Sequence, residues 1–201
     1  KELMHMPFVS IESFQQLNSN NSMAAELQNP INENEPLLRG NLFRPLFIAL
    51  NNNVKKGYTS IKVFEVGNVF SKERNSFTQS LHLSGMIYHH EPQQTWSQKE
   101  LVYDFYSLKA EISKLLQTLG MQNIKFQQAS SLMPFNENAL DIFIGKHKIA
   151  VIGEIDLSVT EKLVKKPAYG FEIYPENISI VSSNPKIKKT SKFPLSTRDI
   201  N

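Results

Sequence analysis

The 201 residues contain no cysteine, which excludes a disulfide framework, a thiolate nucleophile and a cysteine-ligated zinc site, and favours the cytosol. Arginine is almost as scarce. Arg39, Arg44, Arg74 and Arg198 are the full set, and none falls between Asn75 and Thr197. A site that grips a polyphosphate and stabilises charge on it calls for guanidinium forks, so this shortage argues against nucleotide activation by the chain itself. Neither G-x-x-x-x-G-K-[ST] nor G-x-G-x-x-G occurs, which removes the glycine-rich phosphate cradles. No apolar run is long enough to cross a bilayer, and the start, KELMHMPFVS, lacks the apolar stretch of a secretory signal, so a membrane role is not expected.

Hydrophobic residues make up 40% of the chain, enough to bury a core without staples, and the length suits one large domain. The formal net charge is +3, and the excess is local. From Pro185 onward Lys186, Lys188, Lys189, Lys192 and Arg198 stand against Asp199 alone. That segment reads either as a solvated linker or as a phosphate contact. The chain stops at STRDIN just as a new alternating pattern begins, which suggests a piece of a longer protein.

Along the chain, Ser10 followed by IESFQQL predicts a short capped helix with Glu12 in its first turn. Asn18 to Pro36 is rich in Asn, Ser, Gln and Pro and reads as loop, with AEL as one strand candidate. Leu42, Leu46, Ala49, Leu50 and Val54 recur at helical spacing, with Pro45 in the first turn and Gly57 at the stop. SIKVFEVGNVF carries apolar residues at both parities and predicts a central strand. After the polar turn Lys72-Glu73-Arg74-Asn75, LHLSGMIYHH completes an antiparallel hairpin. YDFYSLKAEISKLLQTLG predicts the strongest helix, with Leu101, Phe105, Leu108, Ile112, Leu115 or Leu116, and Leu119 as its stripe and Gly120 as its end. ALDIFIGKHKIAVIGEI predicts two strands joined at Gly145-Lys146, LSVTEKLVKK a short helix halted before Pro167, and YGFEIY a last strand. This order, without regular β-α-β alternation, predicts an α+β fold with a mostly antiparallel sheet.

Several groups carry candidate chemistry. His89, His90 and Glu91 could meet a metal, but adjacent strand residues point to opposite faces and no second pair sits at helical spacing. Glu65, Asp104, Glu154, Asp156 and Glu172 could supply an acid–base pair or serve as structural carboxylates. Trp96, near Pro92 and Tyr103, could anchor a partner or cover a sheet edge. On the 42–54 helix, Phe43 and Phe47 add a second apolar stripe beside Leu42, Leu46 and Leu50, which suits core packing or a helix covered on two sides.

LLRGNLFRPLFIALNNNVKKG, VFEVGNVF, VYDFYSLKAEISKLL, AVIGEI, YGFEIY and SKFPLSTRDI occur in this order, and together they resemble the β-chain of bacterial phenylalanyl-tRNA synthetase in its synthetase-like domain. MPFVSIESF and NPINENEPLLR also match. Ala110 replaces the glycine of the family's Asp-Phe-x-x-Leu-Lys-Gly, and Met133-Pro134-Phe135-Asn136 replaces a His-Pro-Gly-like turn.

The resemblance implies a class II aminoacyl-tRNA synthetase-like antiparallel sheet flanked by helices over residues 1–189, with 190–201 leading towards an anticodon-binding domain. It implies a cytoplasmic, non-catalytic part of phenylalanine–tRNA ligase that docks and supports the catalytic α-chain in an (αβ)2 tetramer. The whole enzyme would use ATP, magnesium and tRNA, with no catalytic, cofactor or metal site in this stretch. In that family helices of the two chains bundle, so the implied partner surface is Leu42, Phe43, Leu46, Phe47 and Leu50. The rival readings are a nucleic-acid-binding module using Lys186 to Arg198, and a free-standing enzyme in which two of Asp104, Glu154 and Glu172 converge in a pocket.

Overall fold

The computed structural model describes residues 1–17, 24–73, 76–90, 103–130, 134–156, 158 and 166–181. Ser10 caps the first helix as its position predicts. The amide of Ser13 donates to the Ser10 hydroxyl at 3.2 Å, opening α1 (Ile11–Leu17). Two-residue strands β1 (Phe8–Val9), β2 (Ala25–Glu26) and β3 (Leu37–Leu38) form a small antiparallel sheet in the order β1-β3-β2. Of these only β2 has a signal in the sequence, the AEL stretch.

Helix α2 (Phe43–Lys55) starts where the Asn41 side chain accepts the amide of Phe43 at 3.1 Å. Pro45 lies in the first turn, where its missing donor costs no helical bond. Strands β4 (Ser60–Glu73) and β5 (Ser76–His89) then pair antiparallel along their whole length. Helix α3 (Phe105–Thr118) begins at a reciprocal cap between Asp104 and Ser107. It ends on Gly120, whose φ of +83° suits the left-handed residue of a C-cap. The amides of Gly120 and Met121 return to the carbonyls of Gln117 and Leu116 at 2.9 and 3.0 Å, closing the last turn.

Strands β6 (Lys125–Gln128), β7 (Phe135–Ile144), β8 (His147–Ile155) and β9 (Tyr169–Ile173) and helix α4 (Pro175–Val181) complete the described chain. Gly145 takes a φ of +60° at the first position of the two-residue β7–β8 turn, as a tight hairpin requires. The helix predicted in LSVTEKLVKK lies outside the described residues.

The large sheet is antiparallel throughout, in the order β4-β5-β9-β8-β7-β6. This corrects one expectation, since β4 is an edge strand and β9 and β8 hold the middle. Apolar residues at both parities report cover on the two faces of a strand, whereas sheet position depends on its two hydrogen-bonding edges. Even that cover is unequal. Ile61, Val63 and Val69 are buried on one face, while Val66 on the other is 44% exposed.

Two cores sandwich the sheet. Phe43, Leu46, Phe47 and Leu50 of α2 pack with Ile61, Val63, Met86, Tyr88, Phe135, Val151 and Ile155 on one face. On the other, Leu108, Ile112 and Leu116 of α3 pack with Ile87, Ile142, Ala150, Ile152, Tyr169 and Ile173, and Ile178 of α4 joins them.

Candidate functional site

Beyond the part of the sheet covered by α2, the same face turns polar. Strand register aligns Glu65 with Ser84, Ser84 with Glu172, Glu172 with Val151, and Val151 with Asp141. Paired residues share a face, so one line across β4, β5, β9, β8 and β7 carries three carboxylates and a hydroxyl. They are deeply buried, with Glu65 2% exposed, Ser84 0%, Glu172 8% and Asp141 1%. A carboxylate out of water is costly unless paired and hydrogen-bonded, so the partners of each decide what the line can do.

Glu65 is held from two sides. Arg39 Nη1 donates to its Oε1 at 2.6 Å, and His5 Nδ1 lies 2.6 Å from its Oε2. Arg39 also donates through Nε to the carbonyl of Asn68 at 2.9 Å. The guanidinium lies against Gly67, where an added methyl group would overlap it. The missing side chain at Gly67 is therefore what lets Arg39 reach Glu65.

Asp141 is paired with Lys148 Nζ at 2.6 Å and accepts the amide and hydroxyl of Ser130 at 3.1 and 3.0 Å. Lys148 faces Asp141 because the β7–β8 register shifts, with Ile142 opposite Ala150 and Phe143 opposite Lys148. Ile149 is the extra residue, and such a bulge reverses the alternation beyond it. Glu172 accepts the Ser84 hydroxyl at 3.0 Å, meets His82 Nδ1 at 3.0 Å, and lies 3.4 Å from the Tyr174 hydroxyl. Burial and the neighbouring Glu172 push the Tyr174 phenol well above its ordinary pKa, so it stays a neutral donor.

Each carboxylate thus has its partners inside the chain, Asp141 Oδ1 facing Lys148 as an ion pair without a hydrogen bond. An anion-gripping surface would need guanidinium groups left over for the ligand, and Arg39 is spent on Glu65. The space lined by Arg39 and Arg44 is about 10 Å³, the size of one water and far too small for a nucleotide. Arg74 and Arg198 lie outside the described residues, as do Trp96, Glu91 and the Lys186 to Arg198 segment.

The other candidates scatter. Asp104 caps α3, and its carboxyl is held below the ordinary value chiefly by the Ser107 hydroxyl and then by the Ser107 amide. Glu154 sits on the α3 face opposite Tyr169 and accepts from Asn138 at 3.2 Å. Asp156 accepts the amide of Ser158 at 2.9 Å. Glu172 lies on the face opposite Glu154, whereas Glu154 and Asp104 both help, after burial, to raise the Tyr169 phenol above its ordinary pKa. His89 bonds Ser60 at 2.7 Å, and His90 donates to the carbonyl of Pro167 at 2.8 Å. Burial lowers the His90 pKa. Among the described residues no group of three or more ligand-type side chains could hold a metal ion.

Leu42, Phe43, Leu46, Phe47 and Leu50 are all buried within the chain. The same helix offers its surroundings Ile48, which is half exposed. Phe135, absent from the sequence reading as a site residue, closes the polar line from the α2 side. Its ring meets Phe43 edge-on at 5.4 Å and occupies the space above Gly153 and Gly170.

Residues 1–174 match the family described as the phenylalanyl tRNA synthetase beta chain CLM domain. The chain belongs to this family. A phenylalanine–tRNA ligase beta subunit of Thermotoga maritima is 30% identical over 176 residues, covering 87% of this chain and 22% of that protein. Beta subunits of Lactobacillus johnsonii and Wigglesworthia glossinidia brevipalpis are each 27% identical, over 183 and 205 residues, covering 87% and 100% of this chain and 22% and 25% of theirs. The CLM domain described here thus spans about a quarter or less of these relatives' length. A solved pyrrolysyl tRNA synthetase of Desulfitobacterium hafniense superposes with a TM-score of 0.66 at 11% identity, covering 90% of this chain and 60% of that one. That likeness establishes a class II synthetase-like fold for the CLM domain, and no more. No helix of the described residues is long and apolar enough to cross a membrane.

Proposed function

We propose that this chain is a synthetase-like domain that activates no amino acid itself and serves to dock and support the catalytic α-chain of phenylalanine–tRNA ligase. The observation that carries this reading is the buried Glu65–Arg39 pair on the α2 face of the sheet. Glu65 projects from β4 onto this face and consumes Arg39. A surface that opposes phosphate with a carboxylate, and whose buried Arg39 is committed to that carboxylate, is poorly suited to stabilise charge building on ATP.

Docking falls to α2. Leu42, Phe43, Leu46, Phe47 and Leu50 lock the helix onto the sheet and keep its outer side, with Ile48, rigid for the α-chain. ATP, magnesium and tRNA then belong to the whole ligase, in the cytoplasm, with two α- and two β-chains. The purified chain is expected to give no phenylalanine-dependent ATP–pyrophosphate exchange and to capture the catalytic chain of the same organism. An Ile48→Asp variant should fold as the parent does and bind the catalytic chain at least about tenfold more weakly, the effect of desolvating one charge at an apolar contact. Exchange by the chain alone would overturn its inertness, and undiminished binding by the variant would remove α2 from the interface.

A further inference from the structure

The three short strands carry one line of paired residues, Val9, Leu37 and Glu26, across β1, β3 and β2. Paired residues share a face, so two apolar side chains and one carboxylate stand on the same side of the small sheet. Phe14 of α1 packs with Val9 and Leu37 there, and Ala24 joins them. Glu26, on the outer strand, is exposed. The line therefore runs from a closed apolar cluster out to a carboxylate in water.

The large sheet brings a cation to the same place. The amide of Phe70 donates to the Arg39 carbonyl at 2.9 Å, which fixes the end of β3 beside β4, and Lys72 follows two residues later. Between them lies a cavity of about 330 Å³, with Ile11, Phe14, Ala24 and Leu37 as its apolar lining and Glu26 and Lys72 as its charges. Small-molecule sites have this size and this make-up, apolar walls with a few polar groups that fix orientation. Among the described residues neither Glu26 nor Lys72 belongs to an ion pair, and Lys72 Nζ lies 5.7 Å from the centre of the Phe77 ring. One charge of each sign over an apolar floor complements a molecule with an apolar body and a charge of each sign. A lone anion would face Glu26 and a lone cation would face Lys72, so each would meet repulsion as well as attraction.

We propose that this cavity binds a free α-amino acid with a large apolar side chain, its ammonium group on Glu26, its carboxylate on Lys72 and its side chain over Phe14 and Leu37. The two charges come from different sheets, so a bound molecule ties the small sheet and α1 to the far end of β4. None of the lining residues belongs to α2, and the site stands whether or not the chain docks through that helix.

Two-dimensional amide NMR of the full chain tests this with leucine, its decarboxylated amine isopentylamine, its deaminated acid isocaproate, and glycine. Leucine should shift the amides of Ile11, Glu26 and Leu37 saturably, with a Kd on the order of millimolar, as a ligand of so few atoms allows. Glycine, without an apolar body, should leave them in place. The amine and the acid should each bind roughly two- to fivefold more weakly than leucine, the worth of one solvent-exposed charge pair. Glu26→Gln should erase the advantage of leucine over isocaproate and keep its advantage over isopentylamine, and Lys72→Gln should do the reverse. Neither residue is buried, so both variants should keep the spectrum of the parent fold. No saturable shift with leucine would overturn the site. Equal binding of leucine, the amine and the acid would overturn it too, by leaving only an apolar slot, as would variants that keep both preferences unchanged.

Discussion

Replacing Arg39 by Met removes the cation that neutralises Glu65 while keeping most of the side chain's apolar length. Glu65 is 2% and Arg39 5% exposed, so the carboxylate left behind cannot turn to water. Removing one partner of a buried ion pair costs about 3–5 kcal/mol. The bond from Nε to the Asn68 carbonyl is lost as well, and His5 stays to offset part of the charge. A net loss of about 3–4 kcal/mol is a large fraction of the 5–15 kcal/mol typical of a folded domain.

The double variant Arg39→Met with Glu65→Leu leaves neither charge behind. Because a buried pair can be exchanged for apolar groups at little net cost, it should recover to within about 1–2 kcal/mol of the parent. His5, part-exposed, can then bond water. Urea unfolding followed by circular dichroism, extrapolated linearly, gives all four corners of the cycle. An Arg39→Met variant within about 1 kcal/mol of the parent would refute the reasoning. So would a double variant as unstable as the sum of the single ones, because Arg39 would then be acting through packing and not through Glu65.

Asp104→Ala should lower stability by about 1 kcal/mol, the usual worth of an N-cap, and the melting temperature by about 2–4 °C. The Asp104 carboxyl titrates below its unfolded value because Ser107 favours the charged form. Its charge-linked contribution is therefore complete above the ordinary carboxylate pKa and lost as pH falls through the lower folded value. The difference between the parent and Asp104→Asn should shrink in that acid window, as measured by unfolding at a series of pH values. Phe135→Ala should cost about 3–5 kcal/mol in the same unfolding assay, because neither Gly153 nor Gly170 has a side chain to close the space above it.

What the sequence shows most clearly is local. The α2 stripe, the Leu108, Ile112 and Leu116 core of the α3 stripe, the glycine stops, the Ser10 cap and the Gly145-Lys146 turn all depend on residues within one or two turns of each other and lie where their patterns place them. Leu101 lies outside the described residues, and Leu119 is half exposed. The family resemblance extends this reading, because motifs in a fixed order carry tertiary information that periodicity lacks. Position within the sheet is different, and β4 shows why. Its two apolar faces reflect the layers above and below it, and nothing in its own residues names the neighbours along its edges. β6, with the pattern KFQQ and little burial, offers no apolar alternation, and α4 has only Pro175 and Glu176 to mark its first turn.

The polar line was half legible for the same reason. Glu65 and Glu172 stand out as charges inside apolar strands, yet Asp141, in LDIF, carries the same signal and joins them only through the register of four strand pairs. Lys148 reaches Asp141 through a bulge at Ile149 that no residue type announces. The scarcity of arginine pointed to a missing phosphate grip, but scarcity alone leaves open what the remaining arginines do. Folding answers that for Arg39, since Gly67 clears its path and Glu65 takes its charge. The same pair also holds His5, whose amide and Nδ1 both reach the Glu65 carboxylate.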